Sequence, residues 1–196
     1  MASLTLTTPP SIEPLFASDL RDVRRVDDGA ETFLLDTWLQ TAREDVEAYC
    51  GVALLTQTWT LKLDGFPDDD DFFELPRNPV QSITSIQYVD ANGVTQTMSS
   101  SDYRLIDPAD PVGGSYRVTL GFGKSWPTTR DDVNAVTVVF VAGYTERRLI
   151  PPALLSAILL IAGNLHEQRD ETIVGTIFAS LPTVTNLLAR YRRRWF

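Results

Sequence analysis

The residues able to do chemistry in this 196-residue chain are few and scattered. His166-Glu167 is the sole histidine beside a carboxylate. A helical zinc hydrolase needs a second histidine one turn away, and the chain has none. Composition permits a Ser/His/acid triad built on His166, but no Gly-x-Ser-x-Gly elbow accompanies it. A histidine at a helix end near Arg169 and Asp170 reads more simply as a surface or interface group. Gly121-Phe-Gly-Lys-Ser125 superficially matches a phosphate-binding loop. That pattern requires a glycine at position 118, which is valine, and a helix where Trp126-Pro127 follows. A strand-end turn is the expectation there. Asp68–Asp71 offers oxygens for a hard cation but lacks the alternating spacing that makes side chains converge, so a solvated acidic loop is expected. No pair of carboxylates stands out for glycosidase-type chemistry. Neither a metal nor a cofactor is expected.

The C-terminus is more distinctive. Arg190, Arg192, Arg193 and Arg194 precede Trp195 and Phe196. Arginine and tryptophan dominate interface hot spots, so this tail suits a docking anchor. A basic tail touching nucleic acid and a solvated helix end remain the competing readings.

Charge is unevenly distributed around the net −9. Residues 146–196 hold seven arginines against four acidic residues, whereas residues 1–145 hold ten basic against twenty-two acidic. An acidic body with a basic tail argues against a nucleic-acid reader, which needs a basic face. It suits the orientation of like subunits, or a tail docked on an acidic partner. The single cysteine, Cys50, sits among apolar neighbours and is expected to fill core space. The first ten residues lack the basic start and apolar run of a secretory signal. The longest apolar helix pattern, Ala153 to Leu165, is too short to cross a bilayer. The expectation is a soluble protein made in the cytoplasm.

These residues must be held by a mixed frame. Residues 1–11 read as an extended arm and Ser18–Arg25 as a short amphipathic helix. Leu35, Trp38, Leu39, Ala42, Val46 and Tyr49 recur at three- and four-residue spacing, predicting a helix over 31–49 stopped by Gly51. Asp36, Arg43, Glu44, Asp45 and Glu47 fall mainly on its other face. From Thr56 the period becomes two, and strands are predicted at 56–63, 72–75, 82–89, 94–98, 103–106, 116–120 and 135–141. Asn92-Gly93 marks a hairpin. Pro151-Pro152 opens a long apolar helix, since proline suits a first helical turn. Leu181 to Phe196 is predicted as a terminal helix with Val184, Leu187, Leu188 and Tyr191 on its apolar face. Trp38, Trp59, Leu155 and Leu159 are expected in the core, with Pro152 setting the helix start. The class is α+β: N-terminal helices and a C-terminal helix pair frame an antiparallel β-rich insertion at 56–145.

Six segments in order give the chain a family resemblance: Asp19–Val26; Ala42–Tyr49 with Thr56–Trp59; Leu75–Ile86; Trp126-Pro127; Val136–Tyr144; and the Pro152 helix ending His166–Arg169, with Leu181-Pro182 and Leu187-Leu188 beyond. The chain resembles the head–tail connector (adaptor) proteins of long-tailed bacteriophages and phage-like gene transfer agents. It departs in an early helix bearing Arg-Asp-Val-Arg where a Lys-rich form is common, and in its arginine-rich tail. The resemblance implies a single adaptor domain over 12–196, with 182–196 as the docking helix and tail. It implies a non-enzymatic subunit of a ring, dodecameric in the family, located in the virion at the head–tail junction. Such a ring sits between the portal and the stopper or tail-completion protein. DNA passes through its channel without sequence-specific binding, and no membrane is involved. A rival reading is a virion surface module that binds carbohydrate through Trp59, Trp126 and the acidic loop. Another is a hydrolase centred on His166.

Overall fold

The computed structural model describes residues 2–24, 32–67, 72–109, 114–167 and 182–192. The chain divides into two compact units: Met1–Pro10 with Thr56–Gly143, and Ser11–Leu55 with Tyr144–Phe196. The fold class is α+β, as the sequence predicts.

The first unit is all β. Its larger sheet is antiparallel in the order β1(Ser3–Thr8), β2(Gln57–Leu63), β8(Val136–Ala142), β4(Val80–Val89), β5(Thr95–Thr97). A second sheet orders β3(Phe73–Leu75), β7(Tyr116–Leu120) and β6(Tyr103–Ile106). Alternation explains the larger sheet. Gln57, Trp59 and Leu61 of β2 are buried, as are Val136, Val138, Phe140 and Ala142 of β8. Because successive side chains face opposite sides, pairing Trp59 with Phe140 and Leu61 with Val138 places all of them on one buried face. The register of β4 on β8 slips between Val80 and Ser82 and between Ile83 and Ser85, bending the long strand. The Asn92-Gly93 hairpin forms as predicted. Gly93 adopts φ 81°, and the Asp90 carboxylate accepts the amides of Asn92 and Val94 at 2.9 and 3.0 Å. Residues 3–8 of the predicted arm form the edge strand β1, tied to β2 by a 2.6 Å bond between the Thr7 and Thr60 hydroxyls.

The second unit is helical: α1(Ala17–Arg24), α2(Thr32–Cys50), a short 3₁₀ turn at Arg147–Leu149, α3(Pro152–Glu167) and α4(Pro182–Leu188). Its core joins Leu20 of α1, Leu35, Leu39, Ala42 and Val46 of α2, Leu154, Ile158 and Ile161 of α3, and Val184 and Leu188 of α4. Cys50 belongs to this core, and burial pushes its thiol up to about 12. α2 ends as predicted, with Gly51 at φ 70° and the amides of Gly51 and Val52 both donating to the Glu47 carbonyl. α1 begins with the Phe16 amide donating to Asp19 at 2.8 Å, and the Ala17 amide donating to Asp36 of α2 at 3.1 Å.

Two expectations fail here. Arg43 and Glu47 are not on the solvent face; they are 3% and 6% exposed. Arg43 donates to Glu13 and Glu47 at 2.7 Å each and to Glu44 at 3.2 Å, while Glu47 also accepts the Leu54 amide at 2.7 Å. Partners brought in from outside the helix make the burial of these charges tolerable. The terminal helix is also shorter than predicted. It stops at Leu188, and the amides of Tyr191 and Arg192 fold back onto the Leu188 carbonyl. Val184 and Leu188 are its buried positions, and position 192 is an exposed arginine that cannot extend their stripe.

Candidate partner-binding surfaces

The residues singled out in the sequence do not converge on one site. In the helical unit, Trp38 is half-buried and meets His166 edge to face at 5.6 Å, so this histidine packs between helices. Pro152 is exposed at the start of α3, and Leu155 and Leu159 pack partly buried against the core. Arg190 is exposed. Arg192 is also exposed, with its guanidinium 5.0 Å from the centre of the Tyr49 ring, a cation–π contact that ties the segment after α4 to α2. Arg193, Arg194, Trp195 and Phe196 lie outside the described residues, as do Asp68–Asp71.

In the β unit, Trp59 is 8% exposed and lies beneath the Arg77 guanidinium at 4.5 Å. Trp126 is also 8% exposed, stacked on Phe66 at 4.9 Å and tilted against Phe73 at 5.7 Å. Both indole faces are therefore covered by the unit's own side chains. Gly121–Ser125 forms the expected turn after β7. The Gly121 amide donates to the Asp102 carbonyl at 2.8 Å, the Lys124 amide to the Gly121 carbonyl at 3.1 Å, and Lys124 Nζ pairs with Asp102 at 2.7 Å. The Lys124 hydrogen bond holds the Asp102 carboxyl below its usual range. With its amine engaged and no helix following, the turn is not a phosphate cradle.

Some exposed groups that patterning did not single out are apolar. Phe122 at the tip of that turn is 97% exposed, and Phe33 in the first turn of α2 is 80% exposed. A cleft of about 420 Å³ opens beside α1 and α3, lined by Val23, Ser156, Leu159 and Leu160. Among the described residues no group of His, Cys, Asp and Glu could hold a metal ion, and no helix is long and apolar enough to cross a membrane. Among the described residues, the arginines that follow α4, the Phe122 turn and the α1/α3 cleft are exposed to solvent. They suit contact with macromolecules.

No protein-family profile and no curated protein matches the chain. Solved structures do. The chain is similar to one in the virion of a native gene transfer agent (GTA) particle, at 26% identity and a TM-score of 0.78, over 98% of this chain and 96% of that one. It is similar to a chain in the neck of an empty GTA particle computed with C6 symmetry, at 25% identity and TM-score 0.78, covering 99% and 97%. In the neck of a native GTA particle computed with C12 symmetry, a third chain shares the fold at 24% identity and TM-score 0.72, covering 100% and 97%. The structural neighbours of this chain are thus virion and neck chains of GTA particles, matched along nearly their whole length.

Proposed function

We propose that this chain is a structural neck component: a head–tail connector subunit that forms a ring, dodecameric in the assembled particle, between portal and stopper. The observation that carries the reading is the full-length likeness to GTA virion and neck chains. Both units are covered by those matches, so the likeness is not that of a widespread module alone. The cyclic symmetry of the two necks supports a ring, because head-to-tail contacts close when one rotation is repeated.

The chemistry agrees with a structural rather than a catalytic role. A net charge of −9 repeated around a channel repels phosphates, so DNA slides without sequence-specific binding. The portal-docking element is the basic end of the chain: exposed Arg190 and Arg192 just beyond α4, followed in sequence by Arg193, Arg194, Trp195 and Phe196. The Tyr49 contact of Arg192 anchors the start of that tail on the helical core. The carbohydrate-binding alternative draws no support from Trp59 and Trp126, whose faces are covered.

Deleting residues 190–196 tests the docking assignment. The truncated chain should stay folded and soluble and lose its association with portal in a pull-down. Undiminished association would remove the tail from this role.

A further inference from the structure

We propose that Arg192 is a positioning residue and not a portal contact: held on the Tyr49 ring at the C-terminal end of α2, it sets the path by which the neighbouring arginines reach portal. The inference rests on the docking role proposed above for the end of the chain, and it divides that element by task.

α2 is built to receive a cation at this point. Its last turn contains Glu47 and no basic residue. The aligned peptide dipoles of a helix leave negative partial charge at the C-terminus, where a cation is stabilising. Arg43, one turn earlier, is already engaged by Glu13, Glu44 and Glu47. The missing charge comes instead from the far end of the sequence. The Arg192 guanidinium lies 5.0 Å from the centre of the Tyr49 ring, within cation–π range. Its charge is also felt at Cys50, the last residue of α2, where it opposes the upward push of burial on the thiol. An aromatic face and a helix end therefore converge on one guanidinium.

The backbone fixes the approach. α4 buries Leu188, and the amides of Tyr191 and Arg192 donate to the Leu188 carbonyl at 2.9 and 3.1 Å. Tyr191 packs half-buried against the helical core. The chain is thus held at positions 188, 191 and 192. Arg190, between them, is exposed and makes no such contact among the described residues. The charge of Arg192 is spent inside the subunit, whereas that of Arg190 is displayed. Fixing the path of a binding segment before its partner arrives lowers the ordering cost of association.

Portal binding by the full-length chain, measured across a salt series, separates the two tasks. Arg192→Gln and Tyr49→Leu should each weaken binding about fivefold, the loss of one cation–π contact. The double variant should be no weaker than either single one, because both remove the same contact. Tyr49→Phe keeps the ring face and should bind as wild type does. Arg190→Gln should flatten the salt dependence, since it removes a charge facing the partner, and Arg192→Gln should leave that dependence unchanged. Wild-type binding by Tyr49→Leu, additive losses in the double variant, Tyr49→Phe as weak as Tyr49→Leu, or a flattened salt dependence in Arg192→Gln would overturn the positioning role while leaving the docking reading intact. Undiminished portal binding after deletion of residues 190–196 would overturn both.

Discussion

The β unit and the helical unit solve the same problem, enclosing a core, with different treatment of charge. The β unit holds six basic and twelve acidic residues, and its buried face is apolar and aromatic apart from Gln57 and Asn78. Its described ion pairs, Arg117–Glu74, Lys124–Asp102 and Arg130–Asp132, lie toward solvent. The helical unit holds eleven basic and fourteen acidic residues and buries two of them, Arg43 and Glu47, inside a network that also takes in Glu13 and the Leu54 amide. The lesson is where each unit is fragile. Shape complementarity holds the first together, whereas the second also depends on every partner of a buried charge being present.

The sharpest way to break this contrast is Arg43→Ala. It strands the buried Glu47 carboxylate and should cost the helical unit about 3–5 kcal/mol, read as loss of 222 nm ellipticity at lower urea. An Arg43→Met/Glu47→Leu double variant should recover much of that loss, because it removes both charges and keeps volume. If the single and double variants are equally unstable, packing and not charge governs the site. In the β unit, Phe140→Ala should cost a comparable 3–5 kcal/mol, here through a cavity, since this ring is fully buried beside Trp59.

A smaller effect should appear at α1. Burial pulls the Asp19 carboxyl up, but the Arg147 hydrogen bonds at 2.8 and 3.3 Å and the Phe16 amide outweigh it, so its pKa lies below the usual 3.8. A depressed carboxylate contributes stability that is present above 3.8 and lost as pH falls through the lower folded value. Asp19→Asn should therefore flatten the acid limb of the stability curve, by about 1 kcal/mol or less because the pair is partly solvated. An unchanged acid limb would remove Asp19 from the acid response. The smallest change should follow Phe33→Ser. This 80% exposed residue should alter stability by less than about 0.5 kcal/mol.

The same contrast governs what could be read from sequence. Strand positions in the β unit were legible because alternation and turn residues are local signals: β6 and β7 fall where predicted, and the Asp90–Gly93 turn closes as its residues require. The helical stripe Leu35, Leu39, Ala42 and Val46 was equally plain. The burial of Arg43 and Glu47 is not legible locally, because helical spacing places them beside the stripe and their partners, Glu13 and the Leu54 amide, arrive from elsewhere in the chain. Tyr191 keeps the apolar spacing past the true end of the terminal helix, although Arg192 gives the stripe nothing to bury. Of the candidate surfaces, only the arginine tail was visible as a run. The cleft joins Val23 to Leu160 across more than a hundred residues, and no local pattern marks Phe122 as exposed.

Electron microscopy of the purified full-length chain, alone and mixed with portal, is the most direct test of the ring assignment. Closed rings of twelve copies are expected when portal is present. Isolated single copies in both samples, at concentrations where the fold is intact, would contradict it.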